Sequence, residues 1–215
     1  MKIAIIGSGA VGAALTEGWA RAGHDIVLGA RDQSAEKPTA LASKFGATVT
    51  SVSDAAASAD IVVLAVPWDA IENVIAALGD LGGKPLIDAT NPLVFADGVL
   101  SVVQPDGKSG AERVAALATT AVVVKTLNQV GAEMMSAQKS MAATPTMFIA
   151  GEDEGANEIA AKLVGDLGFE ALQAGDLKQA RNLEHFAMVW INQAIFRGLG
   201  RDWAFGALRN DAATI

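Results

Sequence analysis

The sequence predicts an α/β fold in which a doubly wound, mostly parallel sheet carries helices on both faces. Strand-like apolar runs alternate with helix-like segments as far as Gly175, and this alternation is typical of parallel sheets. The first apolar run, residues 3–6, leads directly into Gly7, Gly9 and Gly12. The C-terminal part differs, because residues 177–199 have the apolar periodicity of one long amphipathic helix.

The elements predicted along the chain follow the order that such a sheet requires. We expect strands at 3–6, 26–29, 47–50, 61–66, 85–90, 121–125, 146–151 and 169–173. We expect helices from the glycine turn to Gly23, at 36–45, 69–78 and 111–118, from about Gly131, and at 154–167 and 177–199. Gly23 and Gly168 suit helix ends because glycine adopts left-handed backbone readily. A boundary near Gly175 predicts two domains, residues 1–174 and 175–215.

Composition favours a folded protein that binds neither nucleic acid nor a membrane. The chain has 215 residues, of which 51% are hydrophobic, and this suits a sizeable buried core. Its net charge is −8, without the basic block that follows a phosphate backbone. No apolar run reaches the roughly 18 residues of a membrane span, and no signal-peptide pattern precedes the first strand. We therefore expect a cytoplasmic protein.

Candidate metal ligands and acid–base groups are few. The chain has no cysteine and two histidines, His24 and His185, that are far apart in sequence, so we predict no metal site and no catalytic residue. His24 lies in a turn before the second strand, where a structural role is expected. His185 lies beside Glu184 on the C-terminal helix, where a surface or core role is favoured over a role in the cleft.

The glycine spacing G-x-G-x-x-G is typical of a dinucleotide site when a strand precedes it and a helix follows. Gly7 permits the tight turn, Gly9 allows close approach to a pyrophosphate, and Gly12 lets the helix pack on the strand. The helix N-terminus then supplies free N–H groups to the phosphates. The alternative is a glycine turn without a nucleotide.

The end of the second strand predicts which dinucleotide binds. NAD sites place a carboxylate there to accept from the ribose 2′-OH, whereas this chain has Ala30 followed by Arg31. A guanidinium favours the 2′-phosphate of NADP, and Lys37 is a second candidate cation. The alternatives are a solvated Arg31 and a contact from Asp32 to a 2′-OH.

Two further blocks follow buried strands and therefore belong at the same edge of the sheet. In AVPW, Val66 and Pro67 form the loop and Trp68 offers a flat surface for the adenosine; the alternative is that Trp68 covers the core. In DATNPL, Asn91 is a candidate to bond the cofactor or a substrate, or it shapes the turn before Pro92.

The order of the blocks GSGAVG, LGAR, AVPW, DATNPL, VVKTLNQVGAE and IAGED resembles the NADP-dependent coenzyme F420 oxidoreductases. It is also similar to the cytosolic reductase domain of the six-transmembrane ferric reductases. The likeness extends through LGFEALQAGDLKQARNLEHFAMVWI and so covers nearly the whole chain. It implies a Rossmann domain with NADP(H), followed by a small, mostly helical C-terminal domain. The implied reaction transfers a hydride between NADP(H) and a flavin-like acceptor, coenzyme F420 or a flavin.

The resemblance also implies roles for individual residues. In the family pattern, Ser8, Gly9, Ala10 and Val11 bind the pyrophosphate, and Arg31 and Lys37 bind the 2′-phosphate. Trp68 lies against the adenosine half, and the nicotinamide end is lined by Asn128, Gly131 and Ala132.

Two departures from the family pattern leave other functions open. Ala30 stands where the family often has serine, and Asn128 stands where it often has histidine. The alternatives are an NADPH-dependent reductase of a small carbonyl or imine, and a non-catalytic protein that senses NADP(H). The first needs a placed proton donor; the chain has no tyrosine, and the role of Lys125 is open.

The C-terminal helix predicts a homodimer. Its apolar side chains extend around much of the helix and include Phe186, Trp190, Ile191 and Phe196. Such breadth indicates burial on more than one side. A roof over the active site is the alternative use of these side chains.

Overall fold

The computed structural model describes residues 1–136 and 141–210. Its strands are β1 Lys2–Ile6, β2 Asp25–Gly29, β3 Thr48–Thr50, β4 Ile61–Leu64, β5 Pro85–Asp88, β6 Leu93–Ala96, β7 Val99–Val102, β8 Val122–Lys125, β9 Thr146–Gly151 and β10 Glu170–Gly175. Its α-helices are α1 Ala10–Arg21, α2 Glu36–Phe45, α3 Val52–Ser58, α4 Ile71–Leu78, α5 Gly110–Leu117, α6 Glu154–Asp166 and α7 Ala180–Ile191.

Eight of these strands form one sheet in the order β10-β9-β8-β5-β4-β1-β2-β3, and β6 and β7 form a separate hairpin. All neighbours in the large sheet pair in parallel except β8 and β9, which are antiparallel. The strand order reverses between β1 and β4, which creates the crevice where doubly wound sheets bind ligands. The predicted fold class is confirmed.

The sheet separates two apolar cores because successive side chains of each strand point to opposite faces. Ile3 and Ile5 of β1 face a core that includes Trp19 of α1. Ala4 and Ile6 of the same strand face the core formed with α3, α4 and α5. Burial on both faces explains why the central strands are continuous apolar runs rather than alternating ones.

The C-terminal helix is continuous but not uniform. A 3₁₀ turn at Leu177–Gln179 leads into α7, and a π-helical turn at Asn192–Phe196 follows it. The helical segment thus ends at Phe196, three residues before the predicted end at 199. Leu177 packs in one core and Trp190 in the other. The division into residues 1–174 and 175–215 stays a prediction.

The helix predicted from about Gly131 is replaced by a short 3₁₀ turn at Ala132–Met134, and residues 137–140 lie outside the described part. Met134 and Met135 are buried in the core beside α1, which holds this segment against the sheet. Two elements were not predicted at all, namely α3 and the β6–β7 hairpin. The strands β4 and β5 each end two residues earlier than expected, at Leu64 and Asp88.

Within residues 1–136 and 141–210, no helix has the length and apolarity to cross a membrane. Over the same residues, no three histidine or acidic side chains come together as a metal site would require.

Candidate active site

The glycine turn after β1 meets the steric requirements of a dinucleotide fingerprint. Gly7 has a φ of +118°, and a Cβ there would lie 2.3 Å from the Ala65 carbonyl oxygen. A Cβ on Gly12 would lie 1.9 Å from the Gly7 carbonyl oxygen, so α1 can approach β1 this closely only with glycine. A Cβ on Gly9 would meet nothing within 4 Å. The turn is therefore open at Gly9, where the pyrophosphate of a dinucleotide needs room.

The N-terminus of α1 is prepared for an anion. Gly9 is the N-cap and supplies no side-chain cap, and the first turn contains no acidic residue. The first N–H groups of a helix lack partners within it and lie at its positive dipole end. Ala10 and Val11 contribute these groups next to the opening at Gly9. The residues present at this turn therefore fit a pyrophosphate.

A cleft of about 590 Å³ opens beside the glycine turn, at the carboxyl ends of β1, β2 and β4. This volume lies within the range of roughly 300–1,000 Å³ that is usual for small-molecule sites. The predicted cofactor residues that line it are Gly7, Ser8, Gly9, Ala30, Arg31, Val66 and Pro67. The structure thus brings together residues from three separate parts of the sequence.

Arg31 lies exposed at this cleft with its guanidinium free. Nothing within the described ranges forms an ion pair or hydrogen bond with it. Asp32 also lines the cleft, but its Oδ1 accepts hydrogen bonds from Ser34 N at 2.9 Å and Ser34 Oγ at 2.6 Å. These hydrogen bonds lower the pKa of Asp32. Because β2 ends at Gly29, the position of the ribose-binding acid is occupied by Ala30.

Two residues predicted to bind the adenosine half, Lys37 and Trp68, are not among the residues that line the cleft. Lys37 is exposed in the first turn of α2 and is not part of the cleft lining. The Trp68 indole packs against the core with α3, α4 and α5. A Cβ on Gly110 would lie 3.0 Å from its ring. The geometry favours the alternative in which Trp68 covers the core.

Asn91, a candidate contact to the cofactor or a substrate, lies beside Asn128, which was predicted to line the nicotinamide end. Asn91 donates to the Asn128 carbonyl oxygen at 2.8 Å, and Asn128 Nδ2 donates to Asn91 Oδ1 at 3.0 Å. The second amide hydrogen of Asn128 bonds the Leu183 carbonyl oxygen at 3.2 Å. Asn128 is buried with both amide hydrogens used inside the protein, whereas Asn91 is partly exposed. Asn128 therefore holds Asn91 and α7 rather than presenting a free donor.

Gly131 and Ala132 are buried in the same region. A Cβ on Gly131 would lie 2.7 Å from the Trp190 ring, so this glycine allows the tryptophan of α7 to pack against the loop. Their predicted contact with the cofactor stays a prediction.

A fully buried charge cluster, made of Asp88, Lys125 and Glu184, lies beneath this end of the crevice. Lys125 Nζ is 2.9 Å from Asp88 Oδ2 and 3.5 Å from Glu184 Oε1. It also donates to the Thr90 carbonyl oxygen at 2.5 Å. No local pattern signals this cluster, because its members are far apart in the chain.

The other charged side chains of α7 bind neighbouring elements. Arg181 forms two hydrogen bonds of 2.7 Å to Glu112 of α5, and this guanidinium lowers the pKa of Glu112 to about 2.

His185 is exposed, and its Nε2 is 3.2 Å from Gln104 Oε1. His24 lies remote from the cleft, with Nε2 2.9 Å from Asp166 Oδ2. Neither histidine is among the residues that line the cleft.

Comparisons with known proteins agree with this geometry. Residues 2–92 match the family model described as NADP oxidoreductase, coenzyme F420-dependent. The F420-dependent NADP reductase of Methanothermobacter thermautotrophicus is 34% identical over 216 residues, covering 89% of this chain and 88% of that protein. The metalloreductase STEAP3 of Rattus norvegicus is 27% identical over 85% of this chain, which spans 36% of that protein.

A solved structure matches nearly the whole chain. The crystal structure of a proposed F420-dependent NADP-reductase from Arthrobacter sp. FB24 superposes with a TM-score of 0.87 and 28% identity. It covers 97% of this chain and 100% of the other. These matches confirm the predicted resemblance, the predicted class of NADP(H)-dependent oxidoreductase and the predicted fold. The chain belongs to the family of coenzyme F420-dependent NADP oxidoreductases.

Proposed function

We propose that this protein transfers a hydride between NADP(H) and coenzyme F420. The observation that carries the proposal is the free guanidinium of Arg31 at the cleft of the glycine turn, in a chain 34% identical to an F420-dependent NADP reductase. Arg31 accounts for NADP, since a guanidinium pairs with the 2′-phosphate that distinguishes NADP from NAD. Coenzyme F420 is assigned as the acceptor because the chain belongs to the family of coenzyme F420-dependent NADP oxidoreductases.

The adenosine and pyrophosphate parts of the cofactor are assigned to residues of the cleft. Ser8, Gly9, Ala10 and Val11 meet the pyrophosphate, because the uncapped start of α1 offers its N–H groups there. Arg31 holds the 2′-phosphate, and Ala30, Val66 and Pro67 form the walls. Lys37 is the second cation near the 2′-phosphate, since it is exposed on α2 between Ala35 and Pro38, which line the cleft.

The nicotinamide end is assigned to the loops after β5 and β8. NADPH supplies the hydride when bound, so the protein has to align donor and acceptor and exclude water. Asn91 is the partly exposed polar side chain of this region, and Asn128 fixes it through the two amide–amide contacts. Gly131 and Ala132 are buried in the loop after β8, where Gly131 leaves room for the Trp190 ring. The hydride passes from NADPH to the acceptor, and solvent supplies the proton that completes the reduced acceptor, so the reaction needs no side-chain proton donor.

The experiment that tests the proposal follows NADPH oxidation by its absorbance at about 340 nm with F420, FMN, FAD or a panel of small carbonyls and imines as acceptor. We expect turnover with F420 that exceeds turnover with every other acceptor. Turnover of a carbonyl or imine without turnover of F420 would assign the site to a different reductase. Tight NADPH binding with no turnover of any acceptor would assign it to a sensor.

We further propose a homodimer built on the outer side of the C-terminal helix, in a cytoplasmic location. Val189, Ile195 and Phe196 on this helical segment, and Leu199 just after it, are about half exposed or more. Phe95, at 63% exposure on the β6–β7 hairpin, adds to it because β7 packs against α7. Light scattering after size exclusion is expected to give twice the chain mass, and Phe196→Glu is expected to give the monomer. A monomeric wild-type protein would refute the dimer.

A further inference from the structure

We propose that the buried charge cluster, Asp88, Lys125 and Glu184, is a positioning device that joins the C-terminal helix to the nicotinamide half of the cleft. The inference rests on the proposed function for its catalytic readout, but its binding readouts do not depend on the acceptor. None of the three residues is among those that line the cofactor cleft. They act through the backbone and side chains that they hold.

The sheet side of the cluster fixes the turn that presents Asn91. Asp88 Oδ1 accepts from Thr90 N at 2.9 Å and from Thr90 Oγ1 at 2.6 Å. Lys125 Nζ holds the Thr90 carbonyl oxygen. Every polar group of Thr90 is therefore bonded to the cluster, and Asn91 is the next residue along the chain.

The helix side of the cluster is Glu184 of α7. Its Oε2 accepts from Gly110 N at 3.1 Å and from Gln104 Nε2 at 3.2 Å, and its Oε1 accepts from Ala111 N at 3.3 Å. Glu184 therefore caps the N-terminus of α5 while it faces Lys125. One carboxylate thus links α7, α5 and the carboxyl end of β8.

The strands that carry the cluster are those that flank the second half of a Rossmann crevice. Asp88 ends β5 and Lys125 ends β8, and the two strands are neighbours in register. The adenosine half lies over β1 and β2, on the other side of the strand-order switch. A loss of the cluster should therefore disturb the nicotinamide end and leave the adenosine end intact.

Burying three charges is expensive, and apolar side chains of equal volume often stabilise a protein as well or better. A cluster that served stability alone would therefore be replaceable by an isosteric neutral set without effect on the cleft. In a positioning cluster, the same replacement loosens the turn at Thr90, since its carbonyl oxygen loses the Lys125 donor.

The test uses two variants, because removal of one charge from a buried pair can prevent folding. Glu184→Gln keeps an acceptor for the α5 N-terminus and removes the charge that faces Lys125. The double variant Asp88→Asn with Lys125→Met neutralises the sheet side, while the introduced amide keeps the oxygen that Thr90 needs. Leu163→Ala, in α6 and buried in the core that also contains Trp19 of α1, is the control for loss of stability alone.

Three ligand measurements distinguish the possibilities. We expect 2′,5′-ADP, which occupies the adenosine half only, to bind both cluster variants within about twofold of the wild type, because the cleft at Arg31 is unchanged. We expect NADPH to bind several-fold more weakly, and kcat with F420 to fall by about 10- to 100-fold, since misplacement by about 1 Å has that effect. The Leu163→Ala control is expected to match the wild type in all three.

The proposal is overturned if 2′,5′-ADP and NADPH weaken in parallel, or if NADPH affinity and kcat both stay at the wild-type value. It is also overturned if Leu163→Ala, at a similar melting temperature, reproduces the same pattern. If the wild type does not turn over F420, the proposed function fails, while the comparison of 2′,5′-ADP with NADPH still decides the role of the cluster.

Discussion

The substitution Arg31→Ala tests how the protein distinguishes NADPH from NADH. In the structure the guanidinium lies at the cleft and no described residue competes for it. The variant therefore loses only what Arg31 contributes to the ligand. A hydrogen bond to a charged group contributes about 1.5–3 kcal/mol, and exposure at the rim favours the lower half of this range because salt screens the pair. We expect NADPH to bind about 10- to 30-fold more weakly.

The assay is isothermal titration calorimetry of wild type and variant with NADPH, NADH and 2′,5′-ADP at two ionic strengths. NADH lacks the phosphate, so its affinity should change by less than about twofold, and the NADPH loss should shrink as salt rises. Lys44→Ala is the matched control, because it removes one positive charge from α2 outside the cleft lining. Equal losses for NADPH and NADH would refute recognition of the 2′-phosphate by Arg31.

Further predictions concern the glycine turn and the contact between α5 and α7. Gly9→Ala should keep the wild-type melting temperature, because its Cβ would meet no protein atom within 4 Å, and should lose most NADPH affinity, because that Cβ would occupy the space of the pyrophosphate. Gly12→Ala should unfold at a markedly lower temperature, since its Cβ would lie 1.9 Å from a backbone oxygen. A normal affinity in Gly9→Ala would contradict the placement of the pyrophosphate. Arg181→Ala should lower the urea midpoint at pH 7 by roughly 0.2–0.5 M, a modest loss because solvent screens this partly exposed pair. The pKa of Glu112 is lowered from 4.5 to about 2 in the folded state, so this stabilisation is complete above pH 4.5 and is lost as the pH falls towards 2. Urea titrations at pH 7 and pH 3 should therefore give a smaller difference at pH 3, and a difference that does not depend on pH would contradict this account.

The cleft formed by the glycine turn and the end of β2 was predictable, because its determinants are local in sequence. Gly7, Gly9 and Gly12 lie within six consecutive residues, and Arg31 lies two residues after β2, the strand that pairs with β1. Strand order at the switch point then brings these two segments together in any fold of this class. The glycine spacing and Arg31, both read from the sequence, therefore meet at one cleft in the structure.

Two local elements were missed although the sequence carried their signals. Ser51 caps α3 by accepting from Asp54 N, which is a common start for a helix. Asp97 and Gly98 both have positive φ and join β6 to β7, and an Asp-Gly pair between apolar residues is the usual sign of a tight hairpin.

Other features depend on contacts between distant parts of the chain, which no local pattern encodes. The indole of Trp68 packs beside Gly110, and the ring of Trp190 fills the space beside Gly131. The charge cluster needs Asp88, Lys125 and Glu184 to meet in the interior. The sequence around Lys125 does not show that this lysine is buried, because its burial depends on the neighbouring strands and on α7.

The measurement that tests the central claim most directly is steady-state oxidation of NADPH by F420 with the purified protein, run beside the same reaction with NADH. We predict turnover with F420 that saturates in both substrates and prefers NADPH through a lower KM. No F420-dependent oxidation of NADPH at high enzyme concentration, under conditions where calorimetry shows NADPH bound, would contradict the account.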